Sequence, residues 1–161
     1  MGSIVATKHL AVVRHSRSGS TDVLCDAAIG AARAVTDTTT AVEIRVRGAF
    51  DAGPGDVDWA DALLLATPAN FGYMSGALKD FFERIYHHCL GPTTGLPYAL
   101  IVKGDTDVDG AVASVQKIAT GLGWNLVLPP VTVVGVITDA DVDRAAELGA
   151  TLAAGLGEAI F

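Results

Sequence analysis

Thr67-Pro68-Ala69-Asn70-Phe71-Gly72-Tyr73-Met74-Ser75-Gly76-Ala77-Leu78-Lys79 is the stretch whose reading decides the fold of this chain. It leaves an apolar run, Ala62 to Ala66, through a proline, passes a loop with two aromatic residues, and enters a segment of helical periodicity. The run before it is continuous and apolar, as a strand covered on both faces should be. Thr67-Pro68 is expected to stop that strand, because proline fixes φ and removes a ladder donor. Asn70 and Gly72 suit backbone angles closed to most residues, and Phe71 or Tyr73 can lie against a planar ring. From Ser75 onward Leu78, Phe81, Phe82, Ile85 and Tyr86 recur on one helical face. The segment reads as a strand that delivers a flat ligand to a helix.

Outward from this stretch, strand-like runs alternate with helical periodicity, the pattern of a parallel sheet with helices on both faces. His9 to His15 is the first strand, and Thr21 can cap a helix in which Val23, Leu24, Ala27, Ala28, Ala31 and Val35 repeat at helical spacing. Val42, Ile44 and Val46 alternate with Glu43, Arg45 and Arg47, a period of two that fits a half-exposed edge strand. Residues 48 to 60 are rich in glycine and leave room only for a shortened crossover helix near Val57 to Trp59. Tyr98 to Val102 is the fourth strand, followed by a helix with Val112, Val115, Ile118, Ala119 and Leu122 inward. Trp124 to Leu128 and Val131 to Ile137 flank Pro129-Pro130, which favours an edge strand interrupted at its middle. Asp139 or Asp141 can cap a last helix running to about Ile160. No repeat or linker divides the chain, so residues 1 to 161 are expected to form one domain. Five strands in the doubly wound order 2-1-3-4-5 follow.

Composition bounds the function. Half of the 161 residues are hydrophobic and 18% are charged, which suits one packed core rather than disorder. A net charge of −7 sets this surface against nucleic acid, whose phosphates it would repel, and against anionic membranes. The longest strongly apolar runs are strand-sized, far short of the ~20 residues of a membrane helix. Met1 to Lys8 is too short and polar for a signal peptide, so a cytoplasmic location is expected. Cys25 and Cys89 form no metal-ligand spacing, and His87-His88-Cys89 point about 100° apart from one another on a helix, so no metal site is expected.

In the expected order, ligands bind where the winding reverses, after the first and third strands. After the first comes Ser16-Arg17-Ser18-Gly19-Ser20-Thr21, four hydroxyls and a glycine before a helix N-terminus. Backbone N–H groups, the helix dipole and neutral hydroxyl donors together favour a phosphate monoester, and Gly19 permits close approach. The segment lacks the lysine of a nucleotide-triphosphate loop, and no G-x-G-x-x-G opens a helix after a strand. A phospho-acceptor receiver domain would place acids where His15-Ser16 and Thr67-Pro68 stand, and the G-x-S-x-G elbow of a serine hydrolase is absent.

Residues 67 to 79 resemble the signature loop of the flavodoxin-like NAD(P)H:quinone and FMN reductases, T-P-x-x-F/Y-G-x-x-S-G-x-x-K. Residues 16 to 21 resemble the flavodoxin phosphate loop T/S-x-T/S-G-x-T, with Ser16, Ser18, Gly19 and Thr21 on the matching positions. The resemblance implies a single flavodoxin-like domain that holds FMN. Ser16, Ser18, Gly19, Ser20 and Thr21 would take the phosphate, and the backbone of Thr67, Pro68, Ala69, Asn70, Phe71 and Gly72 would hold the ring. Gly104 and Asp105 follow the fourth strand, where related proteins approach the pyrimidine end of the flavin. Electron-transfer flavodoxins usually cover the outer ring face with an aromatic residue in that third loop, whereas Lys103 to Asp109 contains none. The resemblance therefore implies an oxidoreductase with NAD(P)H as electron donor and a quinone or similar small molecule as acceptor. No catalytic side chain is required of the protein, since the flavin carries the chemistry. An electron carrier serving a redox partner protein is the alternative, and a homo-oligomer is left open.

Overall fold

The computed structural model describes residues 6–36 and 41–161, so residues 1–5, part of the N-terminal segment read for a signal peptide, lie outside it. The elements are β1 Lys8–Arg14, α1 Ser20–Thr36, β2 Val42–Gly48, α2 Pro54–Trp59, β3 Ala62–Asn70, β4 Tyr73–Met74, α3 Gly76–Cys89, β5 Pro97–Gly104, α4 Asp109–Gly121, β6 Asn125–Leu126, β7 Val131–Val134 and α5 Asp139–Gly157. The sheet runs β2-β1-β3-β5, with β6 and β7 both pairing to the outer edge of β5. This is the expected 2-1-3-4-5 order drawn as seven strands rather than five. The fifth position is split at Pro129-Pro130, and β4 is a short return strand on β3.

Alternation along the central strands assigns the faces. Leu10, Val12, Leu64, Ala66, Ala99 and Ile101 pack with α1 and α5, while Ala11, Val13, Leu63, Leu65, Leu100 and Val102 pack with α3 and α4. Phe81, Phe82 and Ile85 are fully buried in the second layer, each worth about 1.5–3 kcal/mol of burial. On the other face α1 and α5 lie so close that a Cβ on Gly149 would stand 2.0 Å from the carbonyl oxygen of Ala28.

Three local outcomes differ from the sequence reading. Thr67-Pro68 does not stop β3, which continues to Asn70, with Thr67 pairing to Val102 and Pro68 to Lys103. The parallel pairing of β1 to β3 ends at Arg14 and Ala66, and the Ala66 carbonyl accepts the His15 N–H beyond it. Two residues on, the ring nitrogen of Pro68 faces the same side, which β1 has already left, so no ladder bond is lost. α5 is capped by Thr138, whose hydroxyl accepts the Asp141 N–H while the Asp141 carboxylate accepts the Thr138 N–H at 2.9 Å. Asp141 is thus the far half of a capping box rather than the cap itself. α1 begins at Ser20, which places Thr21 inside its first turn.

The glycine-rich connection before α2 is tied down from below. Arg84 donates to the carbonyls of Ala52 at 2.7 Å and Ala49 at 2.8 Å while its Nε holds Asp80. A planar guanidinium meets all three acceptors at once. Among the described residues no helix is long and apolar enough to cross a membrane.

Candidate functional site

The carboxyl ends of β1, β3 and β5 open into one cleft of about 380 Å³. Its walls are Arg17, Ser18, Ser20 and Thr21 from the first loop, Pro68, Ala69 and Asn70 from β3, and Lys103, Gly104 and Asp105 from the end of β5. The volume lies within the range of small-molecule sites. Three segments far apart in sequence therefore meet at the winding reversal, because β1, β3 and β5 are neighbours in the sheet.

The first loop is shaped for an anion. Ser16 Oγ accepts the Gly19 N–H at 3.0 Å, and Gly19 has φ +94 with open space where a side chain would be. Ser18 and Ser20 hydroxyls lie 3.3 Å apart and line the cleft. The first N–H groups of α1 have no intrahelical acceptor and carry the positive end of the dipole. Thr21 is 2% exposed and lines the cleft, yet its hydroxyl has no hydrogen-bond partner among the described residues. A buried, unpaired hydroxyl calls for a ligand or water to satisfy it.

The second loop is a tight hairpin. Ala69 pairs with Met74 and Asn70 with Tyr73, leaving Phe71 and Gly72 as a two-residue turn with φ +53 and +68. Positive φ at both positions is what a type I′ hairpin requires, and it strains a bulky residue such as Phe71. Two buried hydroxyls hold the return strand. Thr67 Oγ1 accepts the Ser75 N–H and donates to the Pro68 carbonyl, both at 2.9 Å. Ser114 Oγ accepts the Met74 N–H at 3.1 Å and donates to the Ala111 carbonyl. Ser75 Oγ then accepts the Leu78 N–H and caps α3.

The third loop turns at Gly104, where a Cβ would stand 2.4 Å from the Asp107 carbonyl oxygen. Lys103 is mostly buried and donates to Asp105 Oδ1 at 2.8 Å, which holds the Asp105 carboxyl below the usual range. A larger open cleft of about 820 Å³ adjoins, sharing Ser18, Ser20, Lys103 and Asp105 and bordered by Val136, Ile137 and Thr138 before α5.

Of the residues expected from sequence, Ser18, Ser20, Thr21, Pro68, Ala69, Asn70, Gly104 and Asp105 line the first cleft, and Gly19 the adjoining one. Ser16 shapes the loop from behind, and Thr67 is fully buried as a brace for the hairpin. Phe71 is fully exposed at the hairpin tip, and Gly72 backs onto α4. Lys103 and the segment 135–138 were not expected in this role. The former was legible in the alternation Ala99, Ile101, Lys103, which puts it on the α1 side of β5.

The arrangement sets hydroxyls and the first N–H groups of α1 on one side of the cleft and the Asn70 wall and the Gly104 turn on the others. No family model matches the chain. A curated flavodoxin of Aquifex aeolicus is 30% identical over 84 residues, 52% of this chain and 43% of that protein. The match thus spans less than half the length of that relative. Among solved structures, a flavodoxin from the domain Archaea superposes with a TM-score of 0.78 at 17% identity, covering 92% of this chain and 98% of that one. A flavodoxin, WrbA-like protein from Agrobacterium tumefaciens gives 0.75 at 17% identity, with 94% and 99% covered. The chain has the flavodoxin-like α/β fold, a parallel sheet with helices on both faces.

Proposed function

We propose that this chain binds FMN in the cleft and acts as an NAD(P)H-dependent oxidoreductase that passes electrons to a quinone or similar small acceptor. The observation that carries the reading is the convergence of the hydroxyl loop, the hairpin and the Gly104 turn on one small cleft, lined by a buried Thr21 whose hydroxyl has no partner among the described residues. When bound, FMN supplies a centre that accepts hydride from a nicotinamide and returns two electrons to an acceptor. The chain's own part is binding and orientation. Ser18, Ser20, Thr21 and the first N–H groups of α1 take the phosphate, with Ser16 and Gly19 setting the loop. Pro68, Ala69 and Asn70 line the ring on one side and Gly104 and Asp105 on the other. Phe71 and Gly72 fix the hairpin turn, and Thr67 and Ser114 fix its return. The segment Lys103 to Asp109 carries no aromatic side chain, so none from that loop would cover a bound ring against a planar substrate. A cytoplasmic location belongs to the same reading.

The second reading, an electron carrier serving a protein partner, is favoured by Phe50, Phe71 and Tyr73. These aromatic rings are exposed beyond β2 and on the β3–β4 hairpin, where a partner surface would reach the ligand edge. Two measurements decide. Protein loaded with FMN and freed of excess should retain flavin absorption; its loss would remove both readings. Stopped-flow mixing of that holoprotein with NADH and NADPH should bleach the flavin faster than free FMN under the reductase reading, and no faster under the carrier reading.

A further inference from the structure

We propose that Lys103 is the cation that recognises the phosphate of the bound ligand, and that Asp105 is a carboxylate stand-in which the phosphate displaces. The proposal rests on the FMN reading and adds to it a mostly buried cation, which the hydroxyl loop lacks because its own Arg17 is exposed. Along β5, Ala99 and Ile101 face α1 and α5, so Lys103 leaves the sheet on that same face, toward the loop that opens α1. It lines both clefts together with Ser18 and Ser20. Its side chain is 12% exposed, whereas its partner Asp105 is 92% exposed.

That asymmetry is the core of the argument. The lysine has given up most of its hydration and needs an anion beside it, while the carboxylate keeps nearly all of its water. An ion pair with one fully hydrated partner is held weakly and is readily exchanged. A phosphate seated among the Ser18, Ser20 and Thr21 hydroxyls at the start of α1 brings more charge and more acceptors to the same ammonium. Arg17 also borders the cleft, but it is exposed and has no ion pair among the described residues, so its attraction is screened by salt. Lys103, with its side chain 12% exposed, is screened less. Displacement frees Asp105 next to Gly104, in the turn that faces the ring, and so links phosphate occupancy to the third loop.

The test is the ratio of dissociation constants for riboflavin and FMN, measured by flavin fluorescence titration at low and high salt. Riboflavin lacks only the phosphate, so the ratio isolates this contact. Lys103→Met should lower the ratio by about tenfold or more. Asp105→Asn, which removes the competing carboxylate, should raise it several-fold. An unchanged ratio in Lys103→Met, or an unchanged or lowered ratio in Asp105→Asn, overturns the proposal while the FMN reading stands. Wild type that binds neither flavin overturns both. If Lys103→Met does not fold, as judged by circular dichroism, the rise expected in Asp105→Asn decides alone.

Discussion

A Cβ placed on Gly110 would lie 2.0 Å from the carbonyl oxygen of Gly72, so the first turn of α4 is pressed against the tip of the β3–β4 hairpin. The hairpin is thus held by three contacts: Gly110 of α4 at its tip, the Ser114 hydroxyl of α4 on its return, and the Thr67 hydroxyl of β3 at its base. Gly110→Ala should force the hairpin and α4 apart, at a cost of about 1–3 kcal/mol from overpacking. Chemical denaturation should show that loss. FMN affinity should fall with it, because the Asn70 wall of the cleft moves with the turn. Wild-type affinity in the variant would mean that the hairpin does not shape the site.

The same substitution should have opposite signs at two other glycines. Gly149 in α5 meets the Ala28 carbonyl at 2.0 Å, whereas Gly30 in α1 is exposed with open space around it. Alanine is the better helix former by roughly 1 kcal/mol. Gly30→Ala should therefore stabilise the fold by about 0.5–1 kcal/mol. Gly149→Ala should destabilise it by about 1–3 kcal/mol, because the α1–α5 crossing has no room. Thermal melts of the two variants read the difference, and equal shifts would refute the close crossing.

Stability near the start of α5 should depend on acid. Hydrogen bonds from the Thr138 backbone, Arg144 and the Thr138 hydroxyl hold the Asp141 carboxyl down at about 2. Its ordinary value is 3.8, so the folded state favours the charged form. The contribution is full above the ordinary value and is lost as the pH falls from there toward about 2. Asp141→Asn removes it at every pH. The gap in melting midpoint between wild type and variant should be constant from neutrality to about pH 5 and should close as the pH approaches 2. A gap that persists unchanged at pH 2 would show that the carboxylate charge is not what stabilises the cap.

The order of elements was legible because each layer repeats its own signal. Central runs such as Ala62 to Ala66 are apolar throughout, and each helix shows one stripe. Two of the three loops of the site were legible because their glycines, hydroxyls and aromatic residues stand after β1 and β3, where the winding reverses. What stayed hidden depends on partners distant in sequence. Pro68 looked like a strand terminator because nothing local shows that β1 has already turned away at that level. Ser114, forty residues beyond Met74, resembles any small helix residue until the fold brings the two together. The alternation puts Lys103 on the face of Ala99 and Ile101, but only the meeting of β5 with the first loop makes it part of a cleft.

Thr21 offers the most direct check of the cleft, because the fold gains nothing from its hydroxyl. The side chain is 2% exposed and the oxygen has no partner among the described residues, so it carries a desolvation cost without a compensating bond. Thr21→Val keeps the shape and removes the polar atom. Without ligand, the variant should be as stable as wild type or more so, since no hydrogen bond within the protein is lost. With ligand, a charge-assisted bond to the phosphate disappears, worth about 1.5–3 kcal/mol, or roughly 10- to 100-fold in FMN affinity. The rise in melting temperature on adding FMN should shrink accordingly. Riboflavin, which has no phosphate, should bind both proteins alike. A variant that loses stability without ligand and keeps its FMN affinity would place the Thr21 hydroxyl in the core rather than in the site.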